Sequence, residues 1–401
     1  MSRTLYRNGA IYSTHDPFAT ALLVDGPTIA WLGSEEAADG MAGGGTTVVD
    51  LAGALITPGL YDSAFAAGAA GPDASVTGER WAAVTAAGYV AVTAHVDGTD
   101  GVEAGHLRGV AAEAENPASG LPGARLWATR TVHGTESLAA LRDAWGPHLA
   151  GVAPAPGDRT DAAALTAHLT AVTREGLSVG WTVDTDDTLE TLRQALPAAA
   201  AGGAPLRTAG VQLAVSTGLD AADRALLSGH GVTVLVAPSP GVPLRTPLAA
   251  LAADGVPLVL GSASWTTSTT EQASTGQQTS TAAPWSLVRA CVQHPDPEQR
   301  LSSRAAFLAL SRGGWRAAKA THPLLGQLVP GAPASCAVWE ATELMVQTPD
   351  STVAAWSTDP RARTPLLPAL DTGSDPRCLR TVRDGLVVHD DGALGGGPRE
   401  G

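Results

Sequence analysis

The chain has almost no lysine: one residue, Lys319, among 401. A mechanism that needs a strand-borne lysine amine must use that one or fail. Aromatic residues make up 4% against a hydrophobic fraction of 44%, so alanine, valine and leucine must build the core. The cysteines are three, Cys291, Cys336 and Cys378, an odd set at no metal-type spacing. Such usage fits a reduced, cytoplasmic setting. No basic cluster relieves the net charge of −14, which argues against nucleic acid and anionic membrane surfaces as partners. No apolar run approaches the roughly 20 residues of a membrane helix. The first nine residues carry no run of signal-peptide length. No Gly-x-Gly-x-x-Gly occurs, so a dinucleotide-binding sheet has no signature.

What is present falls into three textures. Residues 4–33 read as a β-meander, with Asn8-Gly9 as a hairpin signal and Asp25-Gly26 as a second turn; 46–51 adds a strand. From Gly59 to about Pro330, apolar β-branched runs alternate with alanine-rich helical runs. Strands are expected at 89–93, 125–131, 177–183, 210–215, 233–237 and 256–261. Helices are expected at 78–87, 161–174 with Thr160 as N-cap, 189–200 and 221–227. This alternation is the pattern of a parallel sheet buried on both faces. About eight strands over about 270 residues fit a (β/α)8 barrel, with a doubly wound open sheet as the structural alternative. Residues 264–283 are a Ser/Thr/Gln-rich loop that in a barrel lies over the C-terminal face, either a lid or a solvated insertion. Helices at 285–293 and 302–319 follow, then strands at 336–340 and 380–388, and a Gly-rich end at 392–401 expected to fray.

The stretch 54–66 organises the chain: a buried strand Ala54-Leu55-Ile56, a Pro58-Gly59 turn, and a second strand ending in small residues. Together with Asp16-Pro17-Phe18-Ala19, Ile29-Ala30-Trp31-Leu32-Gly33, Gly255-Val256-Pro257-Leu258-Val259-Leu260-Gly261-Ser262, Gly313-Gly314-Trp315-Arg316 and Leu328-Val329-Pro330-Gly331, in that order, it resembles the amidohydrolase superfamily, and within it the family 3 branch. The resemblance implies a (β/α)8 TIM-like barrel over 59–330 and a small β-sandwich built from both chain ends, 1–58 and 331–401. It implies hydrolysis of carbon–nitrogen, non-peptide bonds with zinc or another divalent metal, which activates water and polarises the scissile carbonyl.

The family's ligand positions, carried over one by one, fall on residues that cannot bind a metal. The first-strand His-x-His falls on Ala64 and Ala66. The fifth-strand histidine falls on Thr182, the sixth-strand histidine on Leu213, and the eighth-strand aspartate on Ala263. Lys319 lies in the Gly-Trp-Arg-Ala helix, which removes the bridging carboxylated lysine of some branches. The expectation is a degenerate site with no metal cofactor.

Four residues could rebuild a site: Asp62 near the first strand end, His95 and Asp97 after the second, and Asp184 after the fifth. The plainer reading is that such residues are turn and cap formers. His133 with Glu136 is a weaker pair of the same kind, and Cys291, three residues before His294, reads as a buried structural thiol. Trp181, Trp265, Trp285 and Trp315 read as core or pocket lining. Three functions stay open. The favoured one is a catalytically silent barrel, a pseudoenzyme, that binds a small molecule at its mouth or pairs with an active relative. The others are a hydrolase with a rebuilt site around His95 and Asp97, and a non-enzymatic scaffold that contacts partners through 266–281. A homo-oligomer is compatible with each.

Overall fold

The computed structural model describes residues 3–67, 74–96, 101–132, 135–239, 241–263, 283–340, 344–345, 365–370 and 375–395. Asp97, His133, Trp265 and the 264–282 stretch of the expected loop lie outside the described residues.

Eight parallel strands form the centre: Leu60–Ala66 (β1), Tyr89–Val96 (β2), Gly123–Thr129 (β3), Leu149–Ala153 (β4), Val179–Val183 (β5), Val211–Val215 (β6), Thr233–Val236 (β7) and Leu258–Leu260 (β8). They pair in chain order as two four-stranded runs, β1 to β4 and β5 to β8. Two seams join the runs into a ring. Ser178, just before β5, donates to Ala150 O at 3.0 Å and accepts from Val152 N at 2.9 Å. Across the other seam Ala263 N donates to Ala64 O at 2.8 Å. At this second seam a Cβ on Gly261 would stand 2.7 Å from Ala64 N, so only glycine lets β8 approach β1. Helices follow most strands and cover the ring, as a sheet apolar on both faces requires. Asp161 caps the helix Ala162–Arg174 by accepting from Ala163 and Ala164 N–H, one place later than the expected Thr160 cap. Capping boxes at Thr185 and Asp220 start the helices Asp186–Ala201 and Ala221–His230.

Strand β4 escaped sequence reading. Leu-Ala-Gly-Val-Ala is short, poor in β-branched residues and set among prolines and glycines. Its Gly151 lies against Trp127: a Cβ there would be 2.4 Å from the indole, so the large residue on β3 dictates the small one on β4. The expected 302–319 helix is broken in the middle, running Ser303–Leu308, a π turn over Ala309–Gly313, and Gly314–Ala317.

Two further sheets flank the barrel. One has four strands, Thr28–Gly33, Ala21–Asp25, Arg3–Arg7 and Thr46–Asp50. The other has five and joins both ends of the chain: Leu386–Asp390, Arg377–Arg383, Cys336–Glu340, Leu55–Pro58 and Ala10–Ile11. One apolar cluster, including Tyr6, Leu22, Ile29, Ile56, Val338 and Val382, lies between them. Asn8-Gly9 is not a hairpin. Asn8 takes a left-handed φ of 58°, and the chain passes there from the first sheet to the second, where Ala10 pairs with Leu55. The turn chemistry was legible; the partner of the next strand is a matter of burial between two layers. Among the described residues no helix is long and apolar enough to cross a membrane.

Candidate functional site

The barrel interior is narrow and apolar at mid-height. Ala64 of β1, Trp127 of β3, Ala214 of β6, Leu235 of β7 and Val259 of β8 touch one another across the ring. Cross-strand register then shows which residues share their inward side. One row runs Ala66, His95, Trp127 and Gly151. Another runs Thr182, Ala214, Leu235 and Val259. Side chains in one row share a face of the sheet, so Ala66, His95 and Thr182 turn to the interior, and each stands at or next to the last residue of its strand, on the mouth side.

Asp62 does not join them. It is fully buried at the β8–β1 seam. Its Oδ1 accepts from Ser262 N at 2.9 Å and Ala64 N at 3.1 Å, and its Oδ2 accepts from Ser262 Oγ at 2.5 Å. Burial pushes the carboxyl up from 3.8 to about 6, against the pull of those hydrogen bonds. The group clamps the ring closed.

His95 does face the interior, its ring 5.8 Å from that of Trp127. Burial, and then the charge of nearby Arg159, hold its imidazole well below the ordinary range, so it is neutral. Arg159 comes from the turn Pro156–Thr160 after β4 and donates through Nε to Pro154 O at 3.2 Å. Asp184 stands exposed at the end of β5 and lines a cleft of 230 Å³ with Thr182, Ser216, Ser239 and Arg245. Thr182 Oγ1 is buried with no hydrogen-bond partner among the described residues. Ser216, Ser239 and Arg245 were not anticipated; the last two lie in the 237–247 loop, where no periodic pattern marks a facing side.

The ligand-type positions fall as follows. Ala64 is in the mid-height plug, Ala66 and Thr182 in the mouth rows, and Ala263 on the seam beside Ala64. Leu213 packs outward among the residues under the helices, with Val211 and Val215. The inward residue at that level is Ala214, one place on. Neither residue offers a donor to a metal. Among the described residues the mouth presents one imidazole, His95, and one exposed carboxylate, Asp184, set among alanines and hydroxyls, and these residues do not fit the centre that a metal-dependent hydrolase requires. Among the described residues no group of three or more His, Cys, Asp or Glu could hold a metal ion.

Two further motifs are structural. Gly176-Leu177-Ser178-Val179-Gly180 spells the Gly-x-Ser-x-Gly of a nucleophile elbow. Ser178, however, sits at the base of β5, buried, donating to Ala209 O at 3.0 Å, rather than on a strand-to-helix turn. Cys291 is buried, and His294 Nε2 lies 3.1 Å from Thr246 O and its Nδ1 3.1 Å from Asp296 O.

No protein-family model matches the chain, and no curated protein matches it. Solved structures match over nearly its whole length. Atrazine chlorohydrolase TrzN from Arthrobacter aurescens TC1, complexed with zinc, aligns at a TM-score of 0.63 and 14% identity, covering 96% of this chain and 95% of that one. Guanine deaminase from C. acetobutylicum with bound guanine aligns at 0.65 and 12%, covering 97% and 100%. An amidohydrolase aligns at 0.63 and 12%, with the same coverage. At these identities the likeness establishes the shared fold.

Proposed function

We propose that this chain is an amidohydrolase-superfamily barrel that has lost its metal centre and works as a binding protein. It takes a small polar molecule at the barrel mouth, alone or paired with an active relative. The same reading makes residues 59–330 the barrel domain and joins 1–58 and 331–401 in a β-sandwich. The observation that carries it is the occupancy of the inward positions: alanine stands at 64 and 66 on β1, at 214 on β6, and at 263 just past the end of β8. The neighbours' hydrolytic chemistry supports the class of ancestor. The unpartnered Thr182 hydroxyl and the Asp184 and Arg245 charges around the cleft support a polar ligand.

The test is metal content by mass spectrometry after dialysis against zinc, together with turnover of guanine and of N-acyl amino acids. No retained zinc and no turnover is the expected result. Stoichiometric tightly held zinc with hydrolysis overturns the reading.

A second reading has one observation in its favour. His95 is a neutral imidazole turned inward, the state a general base needs. Metal-free hydrolysis abolished by His95→Ala would establish it; turnover unchanged by that substitution would remove it.

A further inference from the structure

The pole of the barrel opposite the mouth holds a larger cavity, of 390 Å³, where the bases of β1 to β3 meet the five-stranded sheet. Tyr61, Ala91 and Trp315 form an apolar wall, with the Tyr61 and Trp315 rings 4.9 Å apart and edge-on. Tyr61 OH is tied to Thr93 Oγ1 at 2.9 Å, which fixes that ring.

The cavity's charges can be followed one by one. Arg383 Nη1 donates to Leu121 O at 2.8 Å, and its Nε lies 3.9 Å from Asp384 Oδ2. Asp384 also accepts from Ser335 Oγ at 3.2 Å. Glu115 lies 3.8 Å from His148 Nδ1. Arg125 alone is left over. It is half-buried on β3, in register with Thr93 and so turned to the same side as Tyr61. It makes no hydrogen bond or ion pair with any described residue. Its charge is felt by another cation. Lys319, held at a left-handed φ of 54°, donates to Gly176 O at 3.3 Å, and burial together with the Arg125 charge depresses its ammonium.

A guanidinium is a planar fork that binds a carboxylate through two parallel hydrogen bonds, and an unpaired one in a partly buried site is costly. We propose that this cavity is a second ligand site, which takes a small flat carboxylic acid, its carboxylate on Arg125 and its apolar body against Trp315 and Tyr61. A monoanion is favoured over a phosphate dianion because Glu115 and Asp384 stand on the rim and repel a second negative charge. The site draws on the barrel and on the C-terminal strand that carries Arg383, so its ligand ties the two together. It stands apart from the mouth and does not depend on the function proposed there.

The experiment is calorimetric titration of the full chain with benzoate, benzamide and inorganic phosphate, and a crystal soaked in 4-bromobenzoate. Benzoate is expected to bind at a single saturable site, with benzamide and phosphate much weaker. Arg125→Gln is expected to weaken benzoate by about tenfold or more, the scale of a lost charge-assisted pair, and Arg125→Lys by less. Arg245→Gln at the mouth is expected to leave it unchanged. The bromine anomalous peak is expected beside Trp315, a readout that needs no variant. Equal affinity in Arg125→Gln, equal binding of benzamide, no saturation by about 10 mM, or a bromine peak only at the mouth overturns the proposal.

Discussion

Replacing Asp62 by asparagine isolates one buried carboxyl and gives its pH dependence a definite sign. Two effects oppose each other at this residue. Burial disfavours the charge, while three donated hydrogen bonds from Ser262 and Ala64 favour it. Burial wins, and the group rises from 3.8 to about 6. Above pH 4 the unfolded chain releases this proton while the folded chain still holds it, so this group's contribution to stability falls as pH rises. At about 1.4 kcal/mol per pH unit, the full displacement is worth about 3 kcal/mol once both states are ionised. About 1 kcal/mol of it is already lost at about pH 4.5. Asp62→Asn keeps the shape and removes the titration. Whatever constant offset the amide introduces beside Ser262 does not depend on pH. The stability of the variant relative to the parent should therefore grow by about 2 kcal/mol between about pH 4.5 and 8. Urea unfolding followed by tryptophan fluorescence at both values measures it. A difference that stays flat would refute the reasoning by showing that the hydrogen bonds balance the burial, and one that shrinks toward pH 8 by showing that they outweigh it.

Two other outcomes follow from packing and burial. Gly151→Ala places a methyl 2.4 Å from the Trp127 indole and 2.9 Å from Ser178 O, at the seam between β4 and β5. It should cost about 1–3 kcal/mol, read as a lower urea midpoint, and an unchanged midpoint would show that the seam can open. Burial pushes the thiols of Cys291 and Cys336 up to about 12 and that of Cys378 to about 11. Because the thiolate is the reacting form, iodoacetamide at pH 8 should leave all three unlabelled in the native protein and label all three in urea. Rapid labelling of any one without denaturant would contradict its placement.

The parts of the fold that could be read from sequence are those where burial and periodicity agree. β1, β2, β5, β6 and β7 are apolar and β-branched or aromatic, and their expected spans overlap the observed ones. β4 failed because its residues were chosen by a neighbour: Gly151 exists to admit Trp127, and nothing local announces that. The site shows the same division. The Pro58-Gly59 and Gly261-Ser262 turns mark where Ala64, Ala66 and Ala263 stand, whereas nothing local marks which sixth-strand residue faces inward. Side-chain parity, with Leu213 out and Ala214 in, is decided by register with β5 and β7. Asp62 looked like a candidate for chemistry because it ends near a strand mouth. Its partner, Ser262, is 200 residues away and visible only once the ring closes. Arg125 drew no attention because an arginine at the start of a strand is ordinary; it matters only against the wall of Tyr61 and Trp315.

The five-stranded sheet also sets a timetable for synthesis. Leu55–Pro58 emerges early, yet its hydrogen-bonded partner is Cys336–Glu340, with Val338 opposite Ile56 and Trp339 Nε1 donating to Thr57 Oγ1 at 2.8 Å across 282 residues. Thr381 Oγ1 in turn donates to Thr85 O across 296. Until the ribosome has made Cys336–Glu340, Leu55–Pro58 has an open edge made of leucine, isoleucine, threonine and proline. An unpaired apolar edge invites pairing with other chains. The barrel can begin to form from its first strands, but the layer beneath it is among the last to close. Stalled or C-terminally truncated chains should aggregate through that edge rather than persist as soluble fragments.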